Sequence, residues 1–113
     1  MRLESLPFKK IKNGEKTIEL RLYDEKRRLV KVGDHIVFTN NDNGETLKVL
    51  VTDLFVFDSF ETLYARLPLE ACGYERVENA SPSDMEVYYS MEVYYSKEMQ
   101  KKYGVVGIKV QVV

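Results

Sequence analysis

Apolar residues recur at every second position in several stretches of the chain, and that spacing predicts β-strands. In residues 17–22, Ile18, Leu20 and Leu22 take one face and Thr17, Glu19 and Arg21 the other. His35 to Thr39 alternates about Ile36 and Phe38, and Val105 to Val113 sets Val106, Ile108, Val110 and Val112 on one face. Glu45 to Phe57 begins in phase with Leu47, Val49 and Val51, then slips near Asp53, after which Leu54-Phe55-Val56-Phe57 is apolar throughout. A β-bulge, or a strand buried on both faces, accounts for the slip. The loop Asn40-Asn41-Asp42-Asn43-Gly44 has the composition of a hairpin connection, so the flanking strands are expected to pair.

Helical signals sit between the strands. Residues 5–13 offer Ser5 as a cap, Pro7 in the first turn, and Leu3, Phe8 and Ile11 as apolar contacts. Lys9, Lys10 and Lys12 are placed on the wet side, and Asn13-Gly14 stops the helix. Asp58-Ser59 caps a short helix from Phe60 to Leu67, ended by Pro68. Tyr74 to Ala80 reads as irregular, Ser81-Pro82-Ser83-Asp84 as a helix start, and Lys97 to Lys102 as helix broken at Gly104. Residues 85–96 are a tandem copy, Met-Glu-Val-Tyr-Tyr-Ser twice. Six residues turn an α-helix through about 600°, so the two copies do not present one face. The assembled pattern is α+β: a small, curved, mostly antiparallel sheet closing as a β-barrel, with flanking helices. One domain over residues 1–113 is the expectation at this length.

Composition narrows the setting. The 113 residues are 44% apolar, enough for a core, yet no run of 18 apolar residues is present, so no membrane span is expected. The single cysteine, Cys72, excludes an intrachain disulfide and reads as a small buried residue, which suits a cytoplasmic protein. His35 has no partner at metal-ligand spacing, and no phosphate-cradling glycine loop occurs, so no metal or cofactor is expected. Net charge is −1, which argues against a general nucleic-acid coat protein. Residues 1–34 nevertheless carry ten Lys/Arg against six Asp/Glu, and residues 35–113 seven against twelve. A basic rim of that size suits a small anionic or nucleotide-like ligand better than a long duplex. The sequence sets no oligomeric state.

The chemistry concentrates at residues 14–21. Glu19 and Arg21 share a strand face, with Lys16 at the strand's mouth. Two readings stand: a half-exposed strand bearing a surface ion pair worth about 0–1 kcal/mol, or a donor–acceptor cluster built to hold a polar small molecule or nucleobase.

The spacing Gly14-x-Lys16-x-x-Glu19-x-Arg21, followed by Val32-Gly33-Asp34-x-Ile36-x-Phe38, resembles the signature of ASCH domains, relatives of the PUA fold. The closing Tyr-Tyr-Ser-x-Glu and Tyr103-Gly104-Val105-Val106-Gly107-Ile108 resemble the end of the same family. The resemblance implies a barrel of about six strands with a cleft beside the motif strand, and binding of RNA or of modified nucleosides. Ligand contacts would fall to Lys16, Thr17, Glu19 and Arg21, with an aromatic such as Tyr88 or Tyr89, or Tyr94 or Tyr95, stacking on the base. One bacterial branch of the family removes the acetyl group from acetylcytidine, with the motif lysine catalytic, a threonine nucleophile at the Glu19 position, and a later acid assisting. The resemblance therefore also implies an alternative, a small amidohydrolase working through Lys16 and Glu19, with Thr17 as a substitute nucleophile and Glu70 or Glu78 as the later acid. Glutamate at position 19 departs from that branch: it would have to activate water or hold the ligand. A carboxylate this close makes Lys16 a charged clamp rather than a free base.

Overall fold

The computed structural model describes residues 1–85 and 95–113. Among these residues, five strands form a single curled sheet: β1 (Arg2–Leu3), β2 (Ile18–Leu22), β3 (His35–Asn40), β4 (Thr46–Phe57) and β5 (Val105–Val112), in the order β1-β3-β4-β5-β2. Only β1 and β3 run parallel; the other pairs are antiparallel. Three helices among the described residues flank the sheet: α1 (Ser5–Lys12), α2 (Phe60–Arg66) and α3 (Lys97–Tyr103). The fold is α+β with a half-barrel sheet. Among the described residues, backbone pairing ends at β1 and β2. What spans the gap is a side chain: Arg21 Nη2 on β2 donates to the carbonyl of Arg2 on β1 at 2.7 Å.

The phase slip in the long strand is a bulge between Val51 and Asp53. Before it, Val49 and Val51 sit opposite Val112 and Val110; after it, Leu54 and Val56 sit opposite Ile108 and Val106. The extra residue lets one strand keep feeding the same interior as the sheet curls.

Two apolar layers hold the sheet. Phe8 and Ile11 of α1 plug the concave side against Phe38, Val49, Val51, Val106 and Ile108. Phe60 and Leu63 of α2 cover the other side with Ile18, Leu20, Leu22 and Val105. Ser59 caps α2 through its hydroxyl, which accepts from the Thr62 amide at 3.2 Å, as its sequence predicts. Ser5 does not cap α1. Glu4 holds that position without a side-chain bond, and the Ser5 hydroxyl instead donates to Asn40 Oδ1 at 3.2 Å, tying the helix to the end of β3. Ser81 to Met85 forms only a 3-10 turn, Pro82–Met85, and most of the tandem hexamer, including Tyr88, Tyr89 and Tyr94, lies outside the described residues. Of its four tyrosines, Tyr95 is described: it is a core residue, 2% exposed, against Phe60 with ring centroids 5.7 Å apart.

Gln100 joins the two later helices. Its Oε1 accepts from the Phe60 amide at 2.9 Å and its Nε2 donates to the Tyr95 carbonyl at 3.1 Å, all in the interior. Removing the side chain leaves the first amide of α2 buried without its acceptor. Gln100→Ala is expected to lower stability by about 2 kcal/mol, read as a lower urea midpoint with unchanged slope.

Candidate functional site

Both faces of β2 are buried, so the alternation in its sequence separates two interiors rather than an inside from an outside. Register explains it. Glu19 and Arg21 lie opposite Ile108 and Val106, on the concave side, while Ile18, Leu20 and Leu22 face the α2 layer. Glu19 is 0% exposed and Arg21 and Lys16 are each 6% exposed. The half-exposed surface pair expected as one reading is therefore not what forms.

The three charges make one buried cluster. Lys16 Nζ lies 2.8 Å from Glu19 Oε1, and Arg21 Nε donates to Glu19 Oε2 at 2.8 Å. Arg21 then spends Nη2 on Arg2, across the sheet's open seam. Burial pushes the Glu19 carboxyl pKa upward, but the charges and hydrogen bonds of Lys16 and Arg21 outweigh it and hold the group at about 2. Glu19 is thus a fixed carboxylate, with one cation on each oxygen.

Of these three, Lys16 alone also lines an open cleft, of about 180 Å³. That is smaller than the roughly 300–1,000 Å³ of sites for drug-sized ligands and suits a single ring. Leu20 of β2, Lys16 just ahead of that strand, Lys10 of α1 and Tyr64 of α2 line it. Cys72, Gly73 and Tyr74 come from the loop after α2, and Asp84 and Met85 from the 3-10 turn. Gly73 fits because the Lys16 stem passes directly under it: a Cβ there would lie 3.1 Å from Lys16 Cδ, and the residue has φ +105°. Thr17 is tied into the backbone, donating its amide to Ala71 and accepting from Val110, each at 2.8 Å, and is not part of the cleft lining.

Several cleft residues were not singled out from sequence. Lys10, placed on the wet side by periodicity, is largely buried and donates to the Gly73 carbonyl at 2.7 Å, with Glu75 at 3.6 Å. Tyr64 and Tyr74 share a hydroxyl–hydroxyl bond, and Tyr74 donates to Asp84 Oδ2 at 2.8 Å. Burial, then these two bonds, push the Tyr74 hydroxyl pKa upward. Asp84 is a carboxylate in the cleft lining, whereas Glu70 and Glu78 are exposed and do not line it. Cys72 is buried as expected, and that burial raises its thiol to about 11, leaving it un-ionised and unreactive at neutral pH. Part of the basic excess of residues 1–34 is met by acids from outside it, Lys10 by Glu75 and Lys12 by Glu45, while Lys16 and Arg21 meet Glu19 and Arg27 meets Asp24 within the segment.

The geometry can be set beside known proteins. The crystal structure of hypothetical protein PH0355 is similar at a TM-score of 0.74 with 36% sequence identity, covering 100% of both chains. The solution structure of protein PF0455 from Pyrococcus furiosus is similar at a TM-score of 0.65 with 35% identity, covering 100% of this chain and 98% of that one. No curated protein matches the sequence. The family model of the ASCH domain matches residues 1–113, the whole length that carries the Lys16, Glu19 and Arg21 spacing. The chain belongs to the ASCH domain family.

Proposed function

We propose that this protein binds a single base ring, presented by RNA or by a modified nucleoside, in the cleft beside β2. The observation that carries the reading is Lys16: a nearly buried side chain that lines a one-ring cavity and whose ammonium is held by Glu19 at 2.8 Å. Such an ammonium offers a positioned donor to a ring carbonyl. Glu19 serves the ligand indirectly, by holding Lys16 in place, and Arg21 by fixing the second oxygen of Glu19. Thr17 holds the strand's approach. Tyr88 and Tyr89 stay in the proposal as stacking partners on sequence grounds alone. Closing of the half-barrel into a full barrel belongs to the same proposal, with Arg21 as the side chain at the seam.

The amidohydrolase alternative is the weaker reading. A carboxylate held at about 2 has too little proton affinity to draw a proton from water at neutral pH, and Glu19 has no exposed surface. Asp84 is the acid better placed to assist, but it already accepts from Tyr74.

Fluorescence or calorimetric titration with cytidine, acetylcytidine and short single-stranded RNA tests the proposal. Lys16→Ala is expected to weaken binding by about ten- to a hundredfold, the cost of a lost charged hydrogen bond, with a thermal melt confirming that the variant is folded. Because the cleft cations already meet carboxylates, affinity should fall only shallowly with salt. Unchanged affinity in folded Lys16→Ala removes the cleft as the site. Acetate release from acetylcytidine, abolished by the same substitution, moves the function to the hydrolase reading.

A further inference from the structure

Arg28 is exposed, yet its guanidinium is held at two points. Asp24 builds the turn that delivers it: Asp24 Oδ1 accepts from the Arg27 amide at 3.1 Å, and the Asp24 carbonyl accepts from the Arg28 amide at 2.9 Å. The guanidinium carbon then lies 4.4 Å from the centre of the Tyr23 ring, and Nη2 donates to the Tyr103 carbonyl at 2.8 Å. The Tyr23 amide donates to the neighbouring Gly104 carbonyl at 3.0 Å, so the segment after β2 is fastened to the end of α3. There Lys102, also exposed, holds its ammonium 5.0 Å from the centre of the Tyr103 ring. Two exposed cations, each laid on a tyrosine, thus meet at one junction. Among the described residues neither pairs with a carboxylate, unlike Lys10, Lys12, Lys16, Arg21 and Arg27. Residues 23–31 and α3, the segments that meet here, carry seven Lys/Arg against three Asp/Glu, while the rest of the chain carries ten against fifteen. A polyanion is therefore drawn to this junction on an otherwise acidic protein.

We infer that the junction of Tyr23, Arg28, Lys102 and Tyr103 is a contact surface for a single-stranded nucleic acid, with Arg28 and Lys102 on its phosphates and the Arg28 guanidinium as a platform for one base. The bond from Arg28 to Tyr103 also serves α3, because the last carbonyls of a helix lack partners within it. That role uses one N–H of a group that has several. The others, on a planar fork, match a phosphate, and the plane itself stacks on an unpaired base. Fixing the guanidinium on Tyr23 and on the Tyr103 carbonyl beforehand removes part of the side-chain ordering that binding would otherwise cost. A single strand fits better than a duplex, whose bases are already stacked on one another. The surface is separate from the cleft. Lys16 and Tyr23 lie beyond opposite ends of β2, roughly 20 Å apart at about 3.3 Å per residue. One nucleoside in the cleft does not reach the junction, so the inference does not rest on the base-ring reading.

Fluorescence anisotropy with a labelled single-stranded RNA of about eight nucleotides, measured at several salt concentrations, tests the surface. The double variant Arg28→Glu, Lys102→Glu is expected to weaken binding at least about tenfold and to flatten the salt dependence, because two phosphate contacts are lost. Arg28→Lys keeps the charge and loses the plane: its salt dependence should stay near that of wild type while affinity falls about fivefold or more, the loss of one stacked base. Lys102→Glu alone, which leaves the Arg28 bond to Tyr103 in place, should also weaken binding and flatten the slope. Thermal melts check that each variant folds. Cytidine affinity, which reads the cleft, should be the same in all of them. The inference is overturned if the folded double variant binds the strand as wild type does, or if wild type does not bind it. It is overturned equally if an RNA duplex of the same length, or heparin, binds wild type as tightly as the single strand, since the surface would then sense charge alone. Binding of the strand without binding of cytidine removes the base-ring reading and leaves this one standing.

Discussion

Glu19→Gln is expected to cost about 3–5 kcal/mol of folding stability, the range for breaking a buried ion pair from one side. The neutral amide leaves Lys16 and Arg21, both nearly buried, facing each other across a site built for a carboxylate. For a chain of this size total stability is about 5–15 kcal/mol, so the variant loses a large share of it. The effect has a pH signature. The Glu19 pKa is depressed from 4.5 to about 2 on folding, so its contribution is complete above about pH 4.5 and is lost as pH falls toward 2. The difference between those values corresponds to roughly 3 kcal/mol. Urea unfolding from pH 7 to pH 2 should therefore show the wild-type and Glu19→Gln curves well separated at neutrality and converging in acid. A constant separation across that range would mean that the carboxylate charge is not what the cations need. Replacing all three ionic residues by Met and Leu of similar volume is expected to restore most of the loss, because well-packed apolar triads match or exceed buried charges in stability. It would also remove the Lys16 side chain from the cleft lining, so stability and binding should part company in that variant.

That separation clarifies why the site was only half legible in the sequence. The spacing of Lys16, Glu19 and Arg21 located the cluster, and the strand alternation placed Glu19 and Arg21 on one face. Alternation reports that two faces differ; it does not report whether the polar face meets water. Here it meets the concave core, because β2 is the last strand of a sheet curled around α1 and is covered by α2 on its other side. Strands behaved well where one residue type per face sufficed: the β4 slip became a bulge within two residues of Asp53, and the Asn40–Gly44 loop became the β3–β4 connection. The cleft's other walls were not legible. Tyr74 and Asp84 sit in stretches with no periodicity, and they meet Tyr64 only because the loop after α2 folds back over Lys16 at Gly73. Lys10 looked solvated for the same reason: its partner, the Gly73 carbonyl, is 63 residues away.

Gly104 carries the second large effect, and its cause is backbone alone. The residue ends α3 and starts β5 with φ 74° and ψ −176°, a region that residues with a Cβ scarcely enter. Sequence marks it as a helix breaker, but its role is wider. Its amide donates to the Gln100 carbonyl at 2.7 Å, closing α3, and its carbonyl accepts from the Tyr23 amide at 3.0 Å, just beyond β2. A Cβ at this position would stand 2.9 Å from the Phe57 carbonyl oxygen, the end of β4, and backbone there has no rotamer with which to yield. Gly104→Ala therefore combines a forbidden conformation, worth about 1–3 kcal/mol, with a close contact to backbone, and the expected loss is about 3 kcal/mol in urea unfolding. Relief of the contact would have to shift the start of β5 against β2 and β4, the strands that hold Arg21 and Glu19 opposite Val106 and Ile108. Amide exchange should consequently quicken at Tyr23 and along Val105 to Gly107, while the β3–β4 hairpin, which pairs far from Gly104, keeps its protection. Equal loosening of that hairpin would show that the glycine serves global stability rather than the junction of α3, β2 and β4.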